Sequence, residues 1–209
     1  MYSGGLCFIT DRKVCSLSYE SMVRLVLESG VKWVQYRDKE GSRRDIYTNA
    51  LNLRRITRDH NAVFIVNDHT DIALAVDADG VHLGLDDLPA QKAREILGKD
   101  RLIGVSTHTI EQAVDAEASG ADYIGFGPIF RSETKDAGNP KGINLLSRIR
   151  SLIHIPIVAI GGINLDNVRS VLAAGVDAVA VASAILNGDI KENAGKFLDI
   201  IRSYEKTTK

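Results

Sequence analysis

Short runs of β-branched and aromatic residues alternate with longer stretches whose apolar positions recur every three or four residues, and the alternation continues along the whole chain. The strand-like runs are GLCFIT (5–10), WVQYRD (33–38), VFIVND (63–68), GVHLG (80–84), LIGVST (102–107), YIGFGPI (123–129), PIVAIGG (156–162) and AVAVASAI (178–185). Between them lie helical patterns with start and stop signals. Thr109 followed by Gln112 makes a capping box before QAVDAEASG, and Asn164 is placed to cap LDNVRSVLAAG. Gly30, Gly120 and Gly175 fall just past helix ends, where the chain must turn before the next strand. In KENAGKFLDIIRSYEK, Ala194, Phe197, Leu198 and Ile201 share one face and predict a closing helix.

Such strand–helix units predict a parallel sheet covered by helices, and eight of them is the number that closes into a (β/α)8 TIM barrel. The rival is an open doubly wound sheet, but TDRKVCS after the first run carries no glycine-rich phosphate turn. With 209 residues and no low-complexity linker, the chain reads as a single domain, 1–209. The longest irregular piece, RSETKDAGNPKG (131–142), follows the sixth strand; a loop of that length in a compact barrel usually has a function.

Composition narrows the partners. Lys plus Arg total 26 against 27 Asp plus Glu, so the net charge of −1 provides neither a basic field for nucleic acid nor a polybasic membrane signal. The amino-terminal apolar run is shorter than a signal segment, and no window approaches the roughly 18 apolar residues of a membrane span. A cytoplasmic protein acting on small molecules is expected, with a homo-oligomer left open. Cys7 and Cys15 match no zinc or redox spacing and are read as buried free thiols.

Candidate chemistry gathers where strands end. In VQYRDK, alternation puts Gln35, Arg37 and Lys39 on one face, with Val34 and Tyr36 on the other. In a barrel, the carboxyl ends of the strands surround one mouth. The third strand brings Asn67 and Asp68 there, the fourth leads to Asp86 and Asp87, and the fifth ends in Ser106, Thr107 and His108. Ser132, Thr134 and Lys135 follow the sixth, Gly161 and Gly162 end the seventh, and the eighth passes through Ser183.

Two neighbouring aspartates without Cys and with little His favour magnesium over zinc. With Arg37, Lys39 and Lys135 they describe a clamp for pyrophosphate. The plainer alternatives are rim salt bridges from Arg37 and Lys39 to Asp38 and Glu40, and a helix cap at Asp87. AIGGI and VASAI mark a second anion site, where backbone N–H groups and Ser183 hold a phosphate. Two anion sites across one mouth suit the joining of a pyrophosphorylated donor to a phosphorylated acceptor.

The motifs VQYRDK, VNDHTDIALAVDADGVHLGLDDLP, GVSTHT, DYIGFGPIFRSETK, IPIVAIGGI and AVAVASAI resemble those of the thiamine-phosphate synthase family, over essentially the whole chain. That family couples 4-amino-2-methyl-5-hydroxymethylpyrimidine diphosphate to 4-methyl-5-(2-phosphoethyl)thiazole, releasing pyrophosphate. The resemblance implies a magnesium-assisted dissociative step, in which a pyrimidine-methyl cation is captured by the thiazole nitrogen. It implies that Asp68 and Asp87 bind Mg2+, that Gln35, Arg37, Lys39, Asn67, Ser106 and Lys135 hold the pyrimidine diphosphate, and that Ser132, Thr134, Gly162 and Ser183 hold the thiazole phosphate. Arg37, Lys39, Ser106 and Lys135 carry the catalytic role in that scheme. The chain departs from the family pattern at Arg131 and Ser132, where a Pro-Thr pair is frequent, and at Tyr36, where a smaller aliphatic is common.

A related thiazole tautomerase would use a histidine after the fifth strand as acid and base, and His108 stands in that place. A tautomerase has no use for paired metal-binding aspartates, which favours the synthase. A non-catalytic sensor of a thiamine precursor would be expected to have lost one half of the site. His82 reads as a satisfied barrel or interface residue; neither it nor His60, His69 or His154 is assigned a ligand role.

Overall fold

The computed structural model describes residues 5–131 and 139–207. The elements alternate as anticipated: β1 (Leu6–Ile9), α1 (Tyr19–Glu28), β2 (Trp33–Tyr36), α2 (Arg43–Asp59), β3 (Val63–Asn67), α3 (Thr70–Ala75), β4 (Gly80–Leu83) and α4 (Ala90–Leu97). The second half continues with β5 (Leu102–Thr107), α5 (Ile110–Ala118), β6 (Tyr123–Phe126), α6 (Gly142–Arg150), β7 (Ile157–Ile160), α7 (Val168–Ala173), β8 (Ala178–Val181), α8 (Ser183–Leu186) and α9 (Ile190–Thr207). The strands pair in chain order into a closed barrel. The parallel β8–β1 pair, Leu6 opposite Val179 and Phe8 opposite Val181, completes the ring. This is the (β/α)8 barrel that the pattern predicts.

Alternation along each strand builds two cores. Outward-facing Val34, Tyr36, Phe64, Val66, Val81, Ile103, Ile124 and Phe126 are buried beneath the helices. Inward-facing Cys7, Ile9, Trp33, Ile65, Tyr123, Val158, Ala178 and Ala180 fill the barrel. Trp33 and Tyr123 meet edge to face with ring centroids 5.3 Å apart, closing the amino-terminal end with aromatic bulk.

A repeated carboxylate ties strands to helices at that closed end. Asp79, Asp122 and Asp177 each precede an even-numbered strand. Their side chains accept the backbone N–H of Phe64, Ile103 and Ile157 on the preceding odd strands, at 2.7, 2.6 and 2.8 Å. Each also pairs with an arginine of a covering helix: Arg54 of α2 at 2.7 Å, Arg94 of α4 at 2.6 Å and Arg150 of α6 at 2.8 Å. One side chain thus clasps two strands and a helix, with charge-assisted bonds that are stronger than neutral ones.

The helix ends follow their sequence signals with two adjustments. Thr109 Oγ1 accepts the N–H of Gln112 at 3.2 Å, while Gln112 Oε1 takes the N–H of His108 rather than that of Thr109. Asn164 does not cap α7. Asn167 takes that place, while Asn164 Oδ1 shapes the preceding turn by accepting the N–H groups of Asp166 and Asn167 at 3.0 and 3.1 Å. Gly30, Gly120 and Gly175 do follow their helices at positive φ (100°, 82° and 87°). Cys7 and Cys15 are both free, but only Cys7 is buried; its burial pushes the thiol pKa up. Among the described residues no helix is long and apolar enough to cross a membrane.

Candidate active site

The carboxyl ends of the strands surround one cavity whose walls differ. Gln35, Arg37, Asn67, His82, Ser106 and His108 from β2 to β5 and their ends make a polar side. Gly125, Gly127, Ile160, Ala180 and Ala182 make a small, apolar side opposite. Alanine at the inward positions of β8 keeps this wall low, while Gly125 and Gly127 admit the close approach of His82 and of the Ile160 carbonyl.

On the polar wall, neighbouring strands fix one another's side chains. Gln35 Nε2 donates to Asn67 Oδ1 at 2.7 Å, a buried amide pair between β2 and β3. The β2 ladder stops at Tyr36, two residues short of the predicted end, and Thr10 takes over. Its hydroxyl accepts the Arg37 N–H at 2.9 Å and donates to the Arg37 carbonyl at 3.1 Å. Arg37 therefore leaves the sheet on a fixed course, with its guanidinium 3.8 Å from Asp11. Lys39 reaches across to Asp68. Neither cation takes the plainer pairing with Asp38 or Glu40.

Asp68 has a φ of 66°, a left-handed conformation uncommon for a non-glycine residue. Its N–H is held by the His82 carbonyl at 2.8 Å. Asp87 accepts the N–H of Gly84 at 2.6 Å and does not cap α4, where Pro89 precedes the first helical residue. Burial pushes the Asp87 carboxyl upward; the Gly84 N–H opposes this, and the adjoining Asp68 carboxylate adds to it. The two carboxylates lie side by side, with Lys39 paired to Asp68 as the cation of the corner.

Among the described residues no group of three or more His, Cys, Asp or Glu side chains converges on a metal-sized space. Magnesium does not require one, since it is commonly bound through one or two carboxylates, with water and phosphate oxygens completing the shell. The Asp68–Asp87 pair fits that donor set.

On the far side, Gly161 and Gly162 stand at φ values of 96° and 65°. A Cβ at Gly161 would lie 2.6 Å from Pro128 Cα, and one at Gly162 would lie 2.5 Å from the Arg131 carbonyl oxygen. Glycine is required there by packing as well as by approach of a ligand. Gly162 and Ser183 line the same cavity as Ser106 and Arg37. Ser132, Thr134 and Lys135 lie outside the described residues.

His108 lines the cavity, and its Nδ1 sits 2.6 Å from the Gly127 carbonyl. Because a carbonyl only accepts, Nδ1 is the protonated nitrogen, and in the neutral ring Nε2 is left as an acceptor. Sequence reasoning does not include Thr10 or Asp11; it takes His82 as a satisfied barrel residue, which its contacts with Tyr123 and Ser106 bear out, but not as a member of the cavity wall. His82 shares its parity with Gly80 and Gly84, so a ring on an otherwise glycine-lined inner face was the available signal.

The chain is similar to known proteins over nearly its whole length. The family profile described as thiamine monophosphate synthase matches residues 6–185. The thiamine-phosphate synthase of Clostridium acetobutylicum is 44% identical over 200 residues, covering 94% of this chain and 94% of the relative. That of Methanospirillum hungatei is 47% identical over 200 residues, covering 94% and 97%. The solved thiamine phosphate pyrophosphorylase of Pyrococcus furiosus superposes with a TM-score of 0.88 at 40% identity, covering 95% of this chain and 96% of that one.

Proposed function

Because the chain belongs to the thiamine monophosphate synthase family, we propose that it joins 4-amino-2-methyl-5-hydroxymethylpyrimidine diphosphate to 4-methyl-5-(2-phosphoethyl)thiazole, giving thiamine phosphate and pyrophosphate. The observation that carries this reading is the rim formed after β2 to β4, where Lys39, Asp68 and Asp87 meet one residue along the chain from Asn67, which lines the cavity with Arg37 and Ser106. It combines cations, hydroxyl and amide donors with a carboxylate pair, and a diphosphate uses all of them.

The linked amides of Gln35 and Asn67 retain donor and acceptor capacity for the aminopyrimidine edge. Arg37, Lys39 and Ser106 direct positive charge and an O–H toward the diphosphate, a role the family resemblance also gives to Lys135. A magnesium ion held by Asp68 and Asp87 would neutralise further charge on the same leaving group. As the carbon–oxygen bond breaks, its electron pair departs with pyrophosphate. These fixed donors stabilise the developing negative charge without reorganising, which lowers the barrier most in a site shielded from water. The thiazole nitrogen then supplies the pair that forms the new carbon–nitrogen bond. No protein nucleophile takes part. Gly162 and Ser183 hold the thiazole phosphate opposite, a role the family resemblance extends to Ser132 and Thr134, and Ile160 and Ala180 offer apolar surface to the rings.

The test is to supply both substrates with magnesium or with chelator and to follow thiamine phosphate after oxidation to its fluorescent thiochrome form. Magnesium-dependent product is expected, with Asp68→Ala lowering turnover by on the order of a hundredfold or more. Folded protein that makes no product would overturn the reading. The thiazole carboxylate tautomer, with His108 as the residue to change, would then be the substrate to try.

A further inference from the structure

Below the mouth, a polar chain crosses the barrel through its apolar filling. His82 on β4 has its Nδ1 3.0 Å from the Tyr123 hydroxyl on β6 and its Nε2 2.9 Å from Ser106 Oγ on β5. His82 and Ser106 both line the cavity, whereas Tyr123 lies beneath it at 1% exposure.

The barrel gives up two side chains to make room for this chain. Gly104 stands in register between His82 and Tyr123, and a Cβ on it would lie 2.1 Å from Tyr123 Cζ. A Cβ on Gly125 would lie 2.9 Å from His82 Cε1. Glycine within a strand weakens it and often marks a close approach of other atoms. Here two such positions admit the two rings. An aliphatic pair would fill the space without hydrogen-bonding demands, so polarity is what the arrangement adds.

A neutral imidazole donates from one nitrogen and accepts at the other. If Tyr123 donates to Nδ1, then Nε2–H donates to Ser106 Oγ, and the serine proton is left to point into the cavity. In the opposite tautomer the serine proton is spent on Nε2, and only lone pairs face an incoming anion. Arg37 and Lys39 make this mouth a place for anions, which selects the first arrangement.

We propose that His82 is a positioning residue. Held by Tyr123 in the Nε2–H tautomer, it fixes Ser106 so that the serine hydroxyl donates to the anionic group of the bound substrate. This rests on the synthase reading for its kinetic consequence, though not for the tautomer itself.

Two measurements test it. Nitrogen-15 spectra of histidine-labelled protein should assign His82 as the Nε2–H tautomer, and an Nδ1–H tautomer overturns the proposal whatever the enzyme does. A kinetic cycle should show Ser106→Ala lowering kcat/KM on the order of a hundredfold and His82→Leu lowering it about tenfold. In the Ser106→Ala background, His82→Leu should then cost nothing more. His82→Gln, which keeps an N–H donor, should recover part of the loss, and it serves as the variant if His82→Leu fails to fold. Additive losses would make His82 merely structural and overturn the proposal. Should the wild-type chain show no turnover, the synthase reading fails. The cycle is then run on affinity for inorganic pyrophosphate, where additive losses again overturn the positioning role.

Discussion

Asp38 lies between Arg37 and Lys39 in the chain and pairs with neither. Its carboxylate accepts the N–H groups of Glu40 and Gly41 at 3.0 and 2.9 Å and the Tyr36 hydroxyl at 3.2 Å, folding the loop that carries both cations. Burial acts to raise its pKa, yet these donors together hold it below the ordinary 3.8. With the folded value depressed, its contribution to stability is complete above the ordinary value and is lost as pH falls through the depressed one. Asp38→Ala should therefore cost about 1–2 kcal/mol at neutral pH and converge with the parent on strong acidification, as read by urea unfolding at a series of pH values. A cost independent of pH would mean that the loop does not depend on this charge. Strand parity was enough to place Gln35, Asn67 and Ser106 at the mouth. It could not reveal the work of Asp38 or His82, which depends on a local turn in one case and on cross-strand register in the other. Neither is written in the spacing of apolar residues.

Among the elements, the aspartates before β4, β6 and β8 do what the short strands cannot do alone. A four-residue strand such as β6 or β8 has few ladder bonds, and a carboxylate below it adds an ionic joint to the neighbouring strand and helix. Arg54 is 13% exposed in its pair with Asp79, whereas Arg58 is 61% exposed in its pair with Asp77. Asp79→Ala leaves a partly buried guanidinium and the Phe64 N–H without their partner, and should cost about 3 kcal/mol in chemical denaturation. Arg58→Ala should cost under about 1 kcal/mol; equal costs would mean that the repeated joint carries no special weight. The strands themselves were legible, because β-branched runs and glycine stops are local. Their ends were less so: WVQYRD goes on alternating after the β2 ladder has ended, and Asn164 looks like a cap although the helix starts a turn later. In both places hydrogen bonding to a neighbour, rather than local propensity, sets the boundary.

At the scale of the whole molecule, the ring depends on its last segment. The family profile stops at residue 185, yet α9 buries Ile190, Ala194, Phe197, Leu198 and Ile201 and packs on α1, α7, α8 and β1. It covers the seam where β8 meets β1. A chain ending before Ile190 should lose its single cooperative thermal transition and expose apolar surface to a dye such as ANS; an unchanged transition would show that the seam holds by itself. The periodic helix faces made this closing role readable in advance, whereas the union of distant residues at the mouth needed the closed barrel. The carboxylate joints at the opposite end bear on how such a protein can change over generations. They lie at the closed end, away from the cavity wall, so a lineage can accumulate substitutions at the mouth while its descendants inherit the same folding apparatus. New acceptors or donors can then be tried by selection on a barrel that does not have to be reinvented.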